Sequence, residues 1–78
     1  PNPFNPSTNI RFTLPEAQEV RLEVYTVTGQ RVATLVNERR AAGVHTVVFD
    51  GANLSSGVYV YRIEAGPHVE TRKMTFIK

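Results

Sequence analysis

The chain contains no cysteine, no tryptophan and only one methionine, and it has no long apolar run. Without cysteine there is no disulfide framework, and His45 and His68 alone do not make a structural zinc site. Apolar stretches of three or four residues are too short for a transmembrane helix or a signal peptide. A single domain of 78 residues must therefore hold its fold by packing alone.

A large excess of positive or negative charge is also absent. Nine Lys and Arg against seven Asp and Glu give a net charge of +2. No run of four basic residues occurs, so the electrostatic footprint of a nucleic-acid-binding protein is missing. We expect no nucleic-acid partner.

Apolar residues alternate with period two, and no window shows the spacing of an amphipathic helix. The alternation, broken by glycines at positions 29, 43, 51, 57 and 66, predicts six or seven short strands. Without crossover helices the strands must be mostly antiparallel. The predicted fold is an all-β, immunoglobulin-like antiparallel sandwich over residues 8–78.

Several details follow from the alternation. The first two strands are expected to bury Ile10, Phe12, Leu14, Val20, Leu22 and Val24. Glu23, Glu64 and Glu70 are expected to point outward, partly paired across strands with Arg21, Arg62 and Arg72. The segment "QRVATLV" predicts a strand near a sheet edge, and "NERRAAG" after it predicts a loop. The last strand is predicted over approximately Val69 to Ile77.

The opening "PNPFNPST" carries three prolines, which favour extended backbone. It predicts a semi-rigid linker or hinge over residues 1–7, with a larger protein upstream of it. Phe4 is the one large apolar residue there. It is expected to pack against the sandwich, with an interface to a neighbouring domain as the alternative.

No constellation typical of an enzyme is present. Ser55 and Ser56 lack a G-x-S-x-G turn, and both histidines are interpreted as surface residues. "DGAN" lacks the spacing of a calcium loop and predicts an Asx turn at Asp50. We expect no catalytic residue, no metal and no cofactor.

Tyr59 and Tyr61 share one face of a strand. Tyr59, two residues after Gly57, is typical of the buried corner tyrosine of immunoglobulin-like sandwiches. An exposed pair of rings could instead form a sugar-binding platform. The corner interpretation is favoured for Tyr59.

Three segments together resemble the C-terminal sorting domains of the type IX (Por) secretion system, which close many exported proteins of the Bacteroidetes group. They are "PNPFNPST", "LEVYTVTGQRV" with its glycine hairpin, and "LSSGVYVYRIEAG…TRKMTFIK". The resemblance spans the whole chain. It implies a non-catalytic module of a secreted or cell-surface protein that travels through the periplasm.

The resemblance also implies partners and sites. The partners would be the outer-membrane translocon, a sortase-like peptidase that removes the domain, and the upstream passenger, which is attached to surface lipopolysaccharide or released. The Gly-x-Tyr element falls on Gly57 and Tyr59, and the basic C-terminal strand on Lys73 to Lys78. The Pro-Asn-Pro element falls on Pro1, Asn2 and Pro3.

The basic last strand suggests a recognition mode. We expect a receptor to bind it as a sheet edge, with Arg72, Lys73 and Lys78 attracting an acidic surface. Two alternatives stay open. One is a structural module like the immunoglobulin-like domain of flagellar hook-capping proteins, and the other is an accessory carbohydrate-binding module.

Overall fold

The structure is a computed structural model that describes residues 7–77. Pro1, Asn2, Pro3, Phe4 and Lys78 lie outside the described residues, so the predictions made for them are not tested by it. Residues 7–77 contain six strands: β1 (Ser7–Leu14), β2 (Gln18–Thr26), β3 (Arg31–Arg40), β4 (Gly43–Asp50), β5 (Gly57–Ala65) and β6 (His68–Phe76).

The strands form two antiparallel sheets. The smaller sheet has the order β1-β4, and the larger has the order β3-β2-β5-β6. No helix joins them within residues 7–77, as antiparallel pairing allows. The predicted all-β, immunoglobulin-like sandwich is confirmed, with six strands.

Both sheets contribute to one hydrophobic core. It contains the inward-facing residues of all six strands: Ile10, Leu14, Val20, Leu22, Val24, Val36, Phe49, Tyr59, Ala65 and Phe76. The inward faces predicted for β1 and β2 are confirmed, although Phe12 is only half-buried. Three aromatic rings close one end of the core. The Phe76 centroid lies 5.4 Å from that of Phe49 and 5.8 Å from that of Tyr59.

Gly51 gives the Phe76 ring its space. A Cβ added at Gly51 would lie 3.2 Å from the nearest carbon of that ring, which is tighter than an ordinary van der Waals contact. The chain therefore leaves β4 close against the aromatic cluster because this position has no side chain.

The predicted loop "NERRAAG" is wrong. β3 continues through Arg40, and only Ala41 and Ala42 separate it from β4. Residues 37–40 pair with residues 18–21 of β2. Because β3 is the edge of its sheet, as expected, its polar side chains remain in water while the backbone is paired. A run of charged residues can therefore be strand.

The turn between β5 and β6 sets the register of the last strand. Ala65 pairs with His68 across a two-residue turn, and Gly66 at its first position has a φ of +59°. Glycine with a positive φ at this position is typical of a type II′ hairpin, whose twist matches that of the strands. The ladder then runs without a register shift to the pair Gly57–Phe76.

Phe76→Ala should destabilise the fold strongly. Loss of a buried phenylalanine costs about 3–5 kcal/mol, close to the whole stability of a small domain. The neighbouring Ile77 is 77% exposed, so Ile77→Ala should change the free energy of unfolding by less than about 0.5 kcal/mol. Thermal unfolding followed by circular dichroism compares the two. Equal melting temperatures would contradict the assignment of Phe76 to the core.

Candidate functional site on the last strand

β6 forms one edge of the larger sheet and pairs only with β5 within the described residues. Its side chains alternate between two faces. Phe76 is buried and Met74 packs against the core, whereas Lys73 and Thr75 are exposed. The strand therefore has one face toward the core and one toward solvent.

Main-chain groups of β6 also alternate. The residues flanking a two-residue hairpin turn form a hydrogen-bonded pair, and such pairs recur at every second position. Ala65–His68 is this first pair. The N–H and C=O groups of Val69, Thr71, Lys73 and Thr75 therefore point away from β5, at an edge with no strand beside it among residues 7–77.

The two described cations of β6 are not equivalent. Arg72 Nε donates a hydrogen bond of 2.6 Å to Glu70 Oε1, and this bond raises the pKa of the guanidinium above its ordinary value. Lys73 points to the opposite face and has no carboxylate within 4 Å among the described residues. Lys73 therefore carries the freer positive charge.

Tyr59 lies at the start of β5 and is the corner tyrosine that its spacing predicts. Its side chain is buried, and its hydroxyl donates a hydrogen bond of 2.8 Å to the carbonyl oxygen of Ser55. Gly57 has a φ of +157°, which residues with a Cβ rarely adopt, and it is paired with Phe76. Gly57 and Tyr59 thus fix the loop before β5 against the end of β6.

Tyr61 does not form an exposed platform with Tyr59. Its ring is half-buried, packs against the core cluster and lines an open groove of about 600 Å³ between β1 and the β5–β6 hairpin. Phe12 and Ile63 line the same groove, and His68 and Glu70 lie at its β6 side. The two tyrosine rings therefore face inward.

Glu23 points outward as predicted, but it is not exposed to solvent. Glu23 lies on the outer face of the larger sheet, yet it is only 5% exposed. The Tyr25 hydroxyl donates to its carboxylate at 2.8 Å, Arg31 at 3.0 Å and the Thr34 hydroxyl at 3.4 Å. Side chains of its own sheet therefore cover the carboxylate.

These contacts shift two pKa values in opposite directions. The hydrogen bond from Tyr25 is the largest influence that lowers the pKa of Glu23, and it outweighs the raising effect of burial. The same bond raises the pKa of Tyr25, because ionising the phenol would remove the donor. Glu23 is thus held as a carboxylate.

The remaining charge and turn predictions are confirmed in part. Arg21 and Glu64 pair across strands at 3.9 Å, whereas Arg62–Glu64 and Arg72–Glu70 pair along their own strands. The Asx turn is confirmed, since the Ala52 amide donates to Asp50 Oδ1 at 2.9 Å. His45 donates from Nε2 to the carbonyl oxygen of Ala41 at 2.7 Å and stacks on Phe12.

Residues 7–77 contain no group of three or more His, Asp or Glu side chains placed to hold a metal ion. No helix in this part of the chain has the length and apolarity needed to cross a membrane.

The family described as "Secretion system C-terminal sorting domain" matches residues 1–78. The chain belongs to this family. No curated protein and no solved structure matches the sequence. The chain is therefore a type IX secretion sorting module, a class that is typically non-catalytic, and it marks a larger protein for passage through the periplasm to the cell surface or the medium.

The buried carboxylate predicts how the stability of the sorting domain depends on pH. The folded-state pKa of Glu23 is lowered from its ordinary value of 4.5. Its contribution to the free energy of unfolding is therefore present above pH 4.5 and is lost as the pH falls through the folded-state pKa. Glu23→Gln should lower the free energy of unfolding at neutral pH by about 1–2 kcal/mol. Urea unfolding at several pH values should show this difference narrowing in acid.

Glu64→Gln is the matched control, since its carboxylate is more exposed and its two arginine pairs face water. It should cost less than about 1 kcal/mol. If the difference in unfolding free energy between the wild type and Glu23→Gln does not narrow in acid, the account of the buried carboxylate is contradicted.

Proposed function

We propose that the type IX machinery recognises this sorting domain through β6 while the strand is part of the folded sheet. The observation that supports this most strongly is the position of β6 at a sheet edge. The N–H and C=O groups of Val69, Thr71, Lys73 and Thr75 face no other strand of residues 7–77, so they can pair with a strand from a receptor. Main-chain pairing would supply affinity without requiring a particular side chain at every position.

Charge would guide the encounter. Lys73 is the described cation of β6 without a carboxylate partner, whereas Glu70 partly neutralises Arg72. Lys78 would add a further charge. Attraction between such cations and an acidic receptor raises the association rate more than the affinity.

Gly57 and Tyr59 would contribute indirectly. Tyr59 anchors the loop before β5 through Ser55, and Gly57 faces Phe76. Both hold the end of β6 in its edge position. We assign them a positioning role, without contact to the receptor.

The fate of the exported protein is a further part of the proposal. The segment before β1, with Pro1, Asn2 and Pro3, would act as the linker between an upstream passenger and the sorting domain, whose first strand begins at Ser7 rather than at residue 8. A sortase-like peptidase would remove the domain, and the passenger would be attached to surface lipopolysaccharide or released. The domain itself would have no catalytic activity and no cofactor.

Lys73→Glu should reduce export several-fold, because it reverses the free cation of β6 while leaving the core untouched. The test fuses a fluorescent passenger to residues 1–78 in a bacterium with a working type IX system. Arg11→Glu is the matched control, since Arg11 is an exposed β1 cation without a carboxylate within 4 Å among the described residues. Equal export of both variants, with both folded, would contradict the role of Lys73.

Thr71→Pro should block export without unfolding the domain. Its N–H points away from β5, so proline removes an edge donor while the β5–β6 ladder remains. Thr71→Val keeps the amide and serves as the control. Normal export of the folded proline variant would show that the edge amides of β6 are not bound. Deleting the last six residues is a poorer test, because it also removes Phe76 from the core.

A further inference from the structure

The structure has a second exposed strand edge, at β4, that the sorting proposal does not use. β4 pairs with β1 on one side, and no strand lies on its other side within residues 7–77. Its eight residues pair in continuous register without a bulge. On the outer face, Val44 is 55% exposed and Val48 is 63% exposed, with exposed Thr46 between them.

Natural proteins guard edge strands with charges, prolines or bulges. β3 has two bulges, at Val32 and Leu35, and four charged residues. β6 carries Glu70, Arg72 and Lys73, and β1 carries Arg11. β4 has no charged residue from Gly43 to Phe49 and no proline. Among the described edges, β4 alone has seven consecutive residues, 43–49, without a charge, a proline or a bulge.

We propose that β4 pairs with β4 of a second copy of this chain. Two antiparallel β4 strands related by a twofold axis at Thr46 would place Val44 of each copy opposite Val48 of the other, and the two Thr46 residues opposite each other. The pattern Val44-x-Thr46-x-Val48 is thus complementary to itself. β-Branched pairs of this kind stabilise antiparallel strands.

A second copy satisfies this edge better than a charged partner, because no Lys, Arg, Asp or Glu lies between Gly43 and Phe49 to select one. Self-pairing of β6 about its centre would instead place Arg72 opposite Arg72. In β3, the two bulges would interrupt a regular ladder with a second copy. The pairing of β4 joins the two-stranded sheets into one sheet of the order β1-β4-β4-β1 and leaves β6 free in each copy.

The exposed valines allow a charge-exchange test on residues 1–78. Sedimentation velocity from millimolar to low micromolar protein should show a reversible dimer for the wild type. Val44→Lys/Val48→Lys and Val44→Glu/Val48→Glu would each oppose like charges twice and should weaken the dimer by about tenfold or more. An equimolar mixture of the two variants should restore it. Val58→Lys/Val69→Lys, exposed on the other sheet, is the control and should dimerise like the wild type.

A cysteine at the axis gives a second readout, because the chain has no native cysteine. Thr46→Cys would face its own copy at a distance compatible with a disulfide, about 4.5–5.5 Å between Cα atoms. Mild oxidation should crosslink it rapidly, whereas Val58→Cys should remain largely uncrosslinked. The proposal is overturned if the wild type stays monomeric at every concentration, if the mixed variants do not recombine, or if both cysteine variants crosslink equally.

Discussion

The packing of Phe76 is the interaction on which the rest of this small domain depends. Its ring joins Phe49 from the smaller sheet and Tyr59 from β5, and Gly51 leaves room for it. The last strand is therefore part of the core. A domain without cysteine, in which residues 7–77 contribute ten buried apolar side chains, has little stability in reserve if this ring is lost. The strand through which we propose recognition is thus also needed for the stability of the fold.

The edges of the two sheets divide the surface into regions of different character. β3 is bulged and charged, whereas β6 combines a regular ladder with a few cations. In the recognition we propose, this combination would discourage random pairing and still permit a partner of complementary charge. The buried Glu23 lies on the same sheet, where its hydrogen bonds link β2 to β3 at Arg31 and Thr34. These bonds, with the one from Tyr25, satisfy the Glu23 carboxylate within the sheet.

Strand positions and the corner tyrosine could be predicted because both are local patterns. Alternation locates Ile10 and Leu22 in the core, and the spacing from Gly57 locates Tyr59. The burial of Glu23 was missed because alternation predicts the face of the sheet on which a residue lies, and not whether other side chains cover it. Two of the three groups that bind its carboxylate come from β3, 8 and 11 residues away, and the third is Tyr25 on its own strand. The extension of β3 to Arg40 was missed because charged edge residues look like loop in sequence. The unguarded edge of β4 depends on strand order, which no local pattern contains.

The central claim is that export machinery recognises β6 in its folded place. Val58 and Thr75 face each other across β5 and β6, so Val58→Cys/Thr75→Cys can join the strands covalently in the oxidising periplasm. The measurement is the export of a fluorescent passenger carrying this crosslinked domain, beside the two single-cysteine variants. The account predicts export equal to that of the single variants. Periplasmic retention of the crosslinked form alone would show that β6 must leave the sheet to be recognised.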